Sequence, residues 1–215
     1  MAIIIGHRAN SLRIAMLYKM YNIEYVEVDV SPGDMGEPVV LHGPSEVRRA
    51  TPIGRIFAYI DYKLFYRDPI TRPSPLAAWL SRLDWVKGVL LDVKSTVEPG
   101  KLLEAVEEAG FKGKVEYASG DHPYLKRIAR LDPGARVYPS IGERLADIPG
   151  YLEAHGFKAA TIKYTVLDEN LASRLKEGNV RIYAWTVNTR RDAKRLVELG
   201  VDGIISDTPW ALRGT

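Results

Sequence analysis

The sequence predicts an α/β protein with the fold of a closed (β/α)8 TIM barrel, and three observations lead to this fold class. Short apolar runs alternate with amphipathic stretches of helical period along almost the whole chain. The alternation gives eight strands, each followed by a helix, which favours a closed barrel over an open doubly wound sheet. The length of 215 residues is short for a barrel, so some helices are expected to be brief.

The first part of the chain gives a strand–helix–strand unit followed by a hairpin. In order, the predicted elements are a strand over residues 3–5, a helix over 11–21, a strand over 25–30, a turn over 31–38 and a hairpin strand over 39–42. Residues 43–75 contain several Pro and many aromatic residues without a sustained period. They are interpreted as a small irregular insertion after the second strand, within a single domain that spans residues 1–215.

Regular alternation resumes after the insertion, and glycines follow several of the predicted helices, as is usual where a helix stops. The predicted strands cover residues 89–94, 114–118, 136–138, 159–163, 180–187 and 202–206. The predicted helices cover residues 76–86, 98–109, 122–131, 148–154, 168–176, 189–199 and 209–212.

Composition excludes several classes of function. The net charge of +3, with scattered Lys and Arg, argues against a nucleic-acid partner. Cysteine is absent, which excludes disulfides, zinc-thiolate sites and a thiol nucleophile. No apolar run approaches the ~20 residues of a membrane helix, and the first residues do not resemble a signal peptide, so a soluble, cytoplasmic protein is expected. The abundance of Lys, Arg and Glu without any Gln fits a heat-adapted source.

The second strand carries two carboxylates on one face. Glu27 and Asp29 are two residues apart, so they point the same way, while the valines between and beside them point to the other face. Two buried acids side by side repel, and a hard cation such as Mg²⁺ or Ca²⁺ between them removes that cost. Taken alone, the pair fits an exposed edge strand with two solvated acids better than a metal site, and the rest of the chain adds support for the metal.

Further polar residues collect at the C-terminal ends of the predicted strands, where the active site of such a barrel lies. They are His7 and Arg8 on the first strand, His42 on the hairpin, Asp92 and Lys94 on the third barrel strand, Trp185 to Asn188 on the seventh, and Ser206 and Asp207 on the eighth. Together these residues place three carboxylates, two imidazoles, an Arg and a Lys at one end of the predicted barrel. Burying so many ionisable groups without partners is costly. A divalent ion and an anionic substrate would balance these charges.

These motifs resemble the glycerophosphodiester phosphodiesterase family, within the superfamily of phosphatidylinositol phospholipase C-like phosphodiesterase barrels. The pattern of that family stands here as His7-Arg8, Glu27-Val28-Asp29, Val39-Val40-Leu41-His42 and Asp92-Val93-Lys94. Its C-terminal signature stands as Ala184-Trp185-Thr186-Val187-Asn188 and Ser206-Asp207-Thr208-Pro209. The resemblance covers nearly the whole chain.

The resemblance implies a role for each matching residue. The metal ligands fall on Glu27, Asp29 and Asp92, and the catalytic histidines fall on His7 and His42, with His7 preferred as the acid and His42 as the base. Arg8 and Lys94 would bind the substrate phosphate, and Trp185 would line the substrate pocket. The implied cofactor is one divalent cation, Mg²⁺ or Ca²⁺, with Mn²⁺ as a further option.

Three positions depart from the family pattern. The family usually has a Pro-Glu-Asn-Thr stretch after His-Arg, whereas here Ala9-Asn10-Ser11 leads straight into the helix. Asp92 replaces the usual Glu, and Gly43 follows the second histidine where Asp is usual. The first two departures also resemble the phospholipases D of spider venom, in which a substrate hydroxyl attacks the phosphorus.

The expected function is therefore metal-dependent hydrolysis of a glycerophosphodiester to glycerol phosphate and an alcohol. Two alternatives remain: a lysophospholipase D-type enzyme that forms a cyclic phosphate from a lysophospholipid, and a non-catalytic barrel that binds a phosphorylated ligand. The expected partner is a small-molecule substrate, a glycerophosphodiester or a lysophospholipid. Neither an integral membrane segment nor an oligomeric state is indicated.

Overall fold

A computed structural model describes residues 2–41, 74–94 and 97–214 of the chain. The strands in these ranges are β1 (Ile3–Gly6), β2 (Tyr25–Pro32), β3 (Pro38–Val40), β4 (Ser74–Pro75), β5 (Gly88–Val93), β6 (Lys114–Ser119), β7 (Arg136–Ile141), β8 (Ala159–Lys163), β9 (Arg181–Trp185) and β10 (Gly203–Ser206). The helices are α1 (Leu12–Met20), α2 (Leu76–Leu80), α3 (Pro99–Glu108), α4 (His122–Leu131), α5 (Ile148–Ala154), α6 (Glu169–Glu177), α7 (Arg190–Leu199) and a 3₁₀ helix (Pro209–Leu212).

Eight of the strands close into a parallel barrel, which confirms the predicted fold class. Their order is β1-β10-β9-β8-β7-β6-β5-β2, and β1 also pairs with β2, so the sheet closes on itself. At the closure Ile3 lies opposite Gly203 on one side, and Ile5 lies opposite Tyr25 on the other. A helix follows β1 and each of the strands β5 to β9, and a 3₁₀ helix follows β10. The antiparallel strands β3 and β4 come between β2 and α2 in the described part of the chain.

The predicted hairpin is present, because β3 pairs antiparallel with β2 and β4 pairs antiparallel with β3. The last two residues of the predicted insertion, Ser74 and Pro75, form β4. The rest of the insertion and His42 lie outside the described residues.

The core has two layers that follow the period-two alternation of the strands. The barrel interior is filled by a cluster that includes Ile5, Leu90, Tyr138, Tyr183 and Ile205. The larger layer lies between the strands and the surrounding helices, and the three valines at positions 26, 28 and 30 of β2 are fully buried in it. The predicted division of β2 into an acidic face and a valine face is therefore what the structure shows.

A hydrogen-bonded cluster around Glu116, called here the Glu116 hub, lies inside the barrel near the N-terminal ends of the strands. The carboxylate of Glu116 accepts hydrogen bonds from the hydroxyls of Tyr183 (2.8 Å) and Tyr138 (3.0 Å) and from Arg136 (3.0 Å). Burial is the main cause that raises the pKa values of both tyrosines, so both hydroxyls keep their protons. This end of the barrel is closed by polar groups that satisfy one another.

The helix boundaries follow local capping chemistry. Side chains that accept a hydrogen bond from a first-turn N–H begin five of the helices: Ser11, Glu98, Asp121, Asp168 and Thr189. Gly200 ends α7 in the left-handed region, at φ 76°, as the sequence predicts for a helix stop. After α6 the left-handed residue is Asn179 (φ 53°) and not the preceding Gly178.

Most predicted elements differ from the structure by one or two residues at an end, and two of them differ by three residues or more. The helix expected over residues 76–86 ends at Leu80. After Ser81, the N–H groups of Arg82, Leu83 and Val86 bond to carbonyls three residues back and tighten the chain into turns. The strand expected over residues 136–138 continues to Ile141, and Pro139 lies within it opposite Ser119. Among the described helices, none is long and apolar enough to cross a membrane.

Candidate active site

Three carboxylates meet at the C-terminal end of the barrel, as the sequence predicts. Glu27 and Asp29 face the barrel interior from β2 and are 3% and 2% exposed. Asp92 follows on the neighbouring strand β5, in register with Asp29. One oxygen from each of the three side chains lies within 4.8 Å of the others, so the group has the spacing to hold a metal ion.

The electrostatics of this triad favour a bound cation. Burial, followed by repulsion from Asp29 and Asp92, raises the pKa of Glu27 well above its usual value. Burial and the charge of Asp29 also raise the pKa of Asp92, although Lys94 opposes the shift. Three neighbouring acids whose charges oppose one another, two of them buried, form a set of oxygen donors that a hard divalent ion prefers. The residues present therefore fit such an ion.

Lys94 lies against the triad. Its ammonium is 2.8 Å from Asp92 Oδ2 and 3.2 Å from Asp29 Oδ1. Burial opposes its charge, yet the two neighbouring carboxylates raise the pKa of Lys94, so the side chain stays protonated. It supplies one positive charge beside three acids, which leaves the cluster with an excess of negative charge.

The loop between β1 and α1 runs along the edge of the triad. The backbone N–H of Arg8 donates to Glu27 Oε2 at 2.7 Å, and the Arg8 backbone lies in the left-handed region at φ 55°. The Arg8 guanidinium Nε is 4.0 Å from Asp29 Oδ2. The predicted phosphate-binding arginine therefore lies at the triad, with its backbone also orienting one of the acids.

His7 stands between two carboxylates at the end of β1. Its Nδ1 is 2.7 Å from Asp207 Oδ1, and its Nε2 is 3.8 Å from Glu27 Oε2. The His7 side chain is 16% exposed, so one edge of the ring is accessible from the mouth of the barrel. The ring is thus held at Nδ1 and presents Nε2 toward the triad.

Asp207 is itself fixed by Asn188. Asn188 donates to Asp207 Oδ2 at 2.8 Å and accepts the backbone N–H of Asp207 at 2.9 Å. Burial alone would raise the pKa of Asp207, but hydrogen bonds from His7 and Asn188 lower it to about 2. Asp207 is therefore a permanent carboxylate partner for the imidazole.

Trp185 faces the interior from the end of β9. It packs on the cluster that fills the barrel, and its indole lies against Gly142 in the loop after β7. Its ring is in position to form a wall of the barrel mouth, where the sequence predicts a substrate pocket. The second predicted histidine, His42, lies outside the described residues.

Sequence reasoning gives no role to three residues that the structure brings into the site. Asp207 and Asn188 stand at predicted strand ends, which is a positional signal, but nothing in their spacing ties them to His7. Asn10 donates to Asp29 Oδ2 at 2.7 Å, whereas the sequence marks it only as part of a shortened loop.

A family model for the glycerophosphoryl diester phosphodiesterase family matches residues 94–211, which is more than half of the chain. The chain belongs to this family. Lys94 and Trp185 lie inside the matched segment, whereas His7, Arg8 and the three acids precede it. The resemblance that the motifs indicate is thereby confirmed.

A curated relative from Caldanaerobacter subterraneus subsp. tengcongensis, a glycerophosphodiester phosphodiesterase, is 28% identical over 131 residues. The alignment covers 58% of this chain and 53% of the relative. The matched part of the chain thus spans about half the length of that relative.

Solved structures of family members share the fold. A glycerophosphodiester phosphodiesterase from Agrobacterium tumefaciens matches with a TM-score of 0.76 and 19% identity, and the match covers 100% of both chains. A phosphodiesterase from Oleispira antarctica, in complex with the product sn-glycerol-3-phosphate, matches with a TM-score of 0.73 and 19% identity, covering 98% of this chain and 94% of the other. At these identities the similarity establishes the barrel fold.

Proposed function

We propose that this protein is a divalent-metal-dependent phosphodiesterase that hydrolyses glycerophosphodiesters to glycerol phosphate and an alcohol. The observation that carries the proposal is the triad of buried Glu27 and Asp29 with half-buried Asp92, and His7 beside it, at the mouth of a barrel of this family. The product bound by the Oleispira antarctica relative, sn-glycerol-3-phosphate, supports the substrate class.

The metal ion would be held by the three carboxylates. When bound, a divalent ion withdraws charge from a phosphate oxygen and so favours attack on the phosphorus. The remaining cationic groups act on the same phosphate: the Arg8 guanidinium offers paired donors, and Lys94 offers a point charge. Because both are already fixed beside the acids, they can stabilise the charge that builds in the transition state without reorganising.

Proton transfer is assigned to the two histidines. His7 is the proposed acid: Asp207 holds Nδ1, which leaves Nε2 to carry the proton that the leaving alkoxide needs. His42 is the proposed base, which takes a proton from the attacking water. Leu41, the residue before it, donates its N–H to the carbonyl of Asp29 at 3.2 Å, so the chain reaches the triad at that point.

The substrate alcohol would occupy the mouth of the barrel on the side of Trp185. Strand β9 lies four strands away from β5 in either direction around the barrel, so Trp185 and Asp92 belong to opposite sides of the opening. An apolar ring opposite a charged phosphate site suits a ligand with one charged and one less polar end.

The test is a hydrolysis assay with glycerophosphocholine after exhaustive chelation and after addition of Mg²⁺, Mn²⁺ or Ca²⁺. We expect no turnover without an ion and restored turnover with at least one. Asp29→Asn should abolish the restoration, whereas Glu104→Gln, an exposed carboxylate on α3, should not. Full activity after chelation would refute the metal role.

Phosphorus NMR of the products separates the remaining alternatives. Glycerol phosphate from glycerophosphocholine supports the proposal. A cyclic phosphate from a lysophospholipid would instead indicate the internal transfer that Asp92 and the short loop after Arg8 share with the venom enzymes. Tight binding of either compound without turnover would indicate a non-catalytic ligand-binding barrel.

A further inference from the structure

Two hydroxyl groups lie next to each other inside the barrel. Ser140 on β7 is paired in register with Thr161 on β8, and the Thr161 hydroxyl donates to Ser140 Oγ at 2.8 Å. Tyr138 and Ala159, two residues earlier on the same strands, belong to the cluster that fills the barrel interior. Because side chains two residues apart share a face of a strand, Ser140 and Thr161 also point into the barrel.

Ser140 belongs to the same interior layer as residues of the proposed active site. In a barrel of this type, interior side chains from alternate strands stack in layers of four. One such layer comes from β1, β5, β7 and β9 and consists of Ile5, Leu90, Tyr138 and Tyr183. The rings of its two tyrosines stack with a centroid distance of 4.7 Å. Two residues further along the same four segments, the next layer consists of His7, Asp92, Ser140 and Trp185.

The hydroxyl pair has one proton more than its own bond uses. The bond between the two groups employs the Thr161 proton, and among the described residues no acceptor receives the proton of Ser140. Thr161 is 2% exposed and Ser140 is half-buried, so the pair reaches the mouth of the barrel through Ser140. A hydroxyl inside a barrel costs free energy unless its proton finds an acceptor. Water can take this role in the free protein, and a ligand oxygen can replace that water.

The backbone of Ser140 is held from the helix side of the sheet by His122, at the start of α4. His122 Nε2 lies 3.2 Å from the Ser140 carbonyl, and its Nδ1 lies 2.7 Å from the hydroxyl of Tyr151. A carbonyl oxygen only accepts, so Nε2 carries the proton and Nδ1 accepts the tyrosine hydroxyl. Ser140 is therefore fixed through its backbone as well as through Thr161, which lowers the cost of ordering it when a ligand binds.

We propose that Ser140, supported by Thr161, is a specificity-determining residue that binds a hydroxyl of the glycerol group of the substrate. The inference rests on the proposed phosphodiesterase function and deepens it. Strand β7 lies two strands from β5, so Ser140 and Asp92 are neighbours within their layer. Ser140 is thus placed to meet a group attached to a phosphate at the acid triad. Beyond its bond with Thr161, Ser140 Oγ can donate one hydrogen bond and accept another, which matches a hydroxyl of a diol.

Depth in the barrel distinguishes the glycerol end of the substrate from the other alcohol. The packed layer that contains Tyr138 and Tyr183 closes the barrel below Ser140. A closed end admits a small group, and glycerol is small and carries hydroxyls for the polar pair. The larger alcohol is left on the open side, where Trp185 forms a wall.

The first measurement compares the affinities of sn-glycerol 3-phosphate and n-propyl phosphate by isothermal titration calorimetry, with a divalent ion present. Both compounds carry the phosphate on a three-carbon chain, and only the first has hydroxyls. We expect the wild type to bind glycerol phosphate at least about 5-fold more tightly. Ser140→Ala should weaken the binding of glycerol phosphate about 3–10-fold, the size expected for one neutral hydrogen bond, and should change that of n-propyl phosphate less than about 2-fold.

Three further variants test the hydroxyl pair. Thr161→Val keeps the shape of the side chain, removes its hydroxyl and should lower the preference for glycerol phosphate in the same direction as Ser140→Ala. Thr161→Ser keeps both hydroxyls and should retain the preference of the wild type. Ser173→Ala removes the same group at an exposed position of α6 and is the matched control, for which both affinities should equal those of the wild type.

Steady-state kinetics gives a second readout. Glycerophosphocholine and propylphosphocholine differ only in the hydroxyls of the three-carbon group. Ser140→Ala should lower kcat/KM about 3–10-fold for glycerophosphocholine and less than about 2-fold for propylphosphocholine.

The outcomes separate the two proposals. A wild type that binds both phosphates equally overturns the glycerol site, as does an equal loss on both phosphates in Ser140→Ala. An unchanged preference in both Ser140→Ala and Thr161→Val, in a protein that hydrolyses glycerophosphocholine, also overturns the glycerol site and leaves the proposed function standing. A preference that depends on Ser140, in a protein that hydrolyses neither diester, supports the glycerol site and overturns the proposed function.

Discussion

Replacing Glu27 with glutamine is expected to stabilise the ion-free protein while it removes a ligand from the proposed metal site. The oxygens of Glu27, Asp29 and Asp92 lie within 4.8 Å of one another. At that separation two unit charges repel by about 3 kcal/mol when the effective dielectric constant is near 20. Glu27 has two such neighbours, and Lys94 and the Arg8 N–H offset part of the repulsion. We therefore expect a net gain of about 1–3 kcal/mol in the free energy of unfolding.

The gain depends on pH, because burial and the two neighbouring acids raise the pKa of Glu27 well above its usual value. In the folded protein Glu27 keeps its proton over a pH range in which the unfolded chain has lost it. The stability of the wild type therefore falls as the pH rises through that range. The advantage of Glu27→Gln should be largest at alkaline pH and should vanish below the ordinary pKa of the carboxyl group.

Thermal unfolding in the presence of a chelator measures this effect. A gain of this size corresponds to an increase in Tm of about 2–10 °C for a protein of this length. Added Mg²⁺ should raise the Tm of the wild type but not that of Glu27→Gln. Glu104→Gln changes the same group at an exposed position and should leave Tm unchanged. If Glu27→Gln melts at or below the wild-type temperature at alkaline pH without metal, the account of opposed charges is wrong.

His7→Ala is expected to lower kcat about 10²–10⁴-fold with little change in Tm, measured by steady-state hydrolysis with saturating metal ion, and an unchanged kcat would contradict its role as the acid. Asp207→Asn should slow hydrolysis of glycerophosphocholine at least about 10-fold but spare a p-nitrophenyl diester, whose leaving group needs no proton. Equal losses on both substrates would count against positioning of His7. Glu116→Ala should lower the free energy of unfolding by about 2–4 kcal/mol, since two tyrosine hydroxyls and Arg136 lose their shared acceptor. Chemical denaturation measures this loss, and a change below about 0.5 kcal/mol would contradict the role of the hub.

The fold is accessible from the sequence because it is encoded in local periodicity. The alternation in β2 is by itself enough to assign its acids to the barrel interior and its valines to the helix layer, and each predicted barrel strand is present, most with shifted ends. The end of an element differs from its predicted position where local hydrogen bonds end the element before its hydrophobic pattern ends, as in the turns after Leu80. The family resemblance supplies the roles, which periodicity alone does not contain.

The parts of the site that sequence does not reveal depend on contacts between distant positions. Asn10 and Asp29 are 19 residues apart, and His7 and Asp207 are 200 residues apart. Sequence spacing does not identify such pairs, because barrel closure brings Asp207 to His7 and the path of the loop after β1 brings Asn10 to Asp29. An asparagine beside a helix N-cap, such as Asn10 beside Ser11, is common in loops and does not by itself indicate a site residue. Its hydrogen bond to the Asp29 carboxylate is visible only in the folded structure.

Strand β1 lies between β10 and β2, so the first residues of the barrel are enclosed by its last strand. During synthesis the three acids and Lys94 are all made well before residue 207 emerges. Until then the Nδ1 atom of His7 lacks the carboxylate that holds it in the folded protein, Asp207. With His7 as the proposed acid, hydrolysis of a diester therefore requires a barrel that is closed through β10, because only then does Asp207 reach the ring.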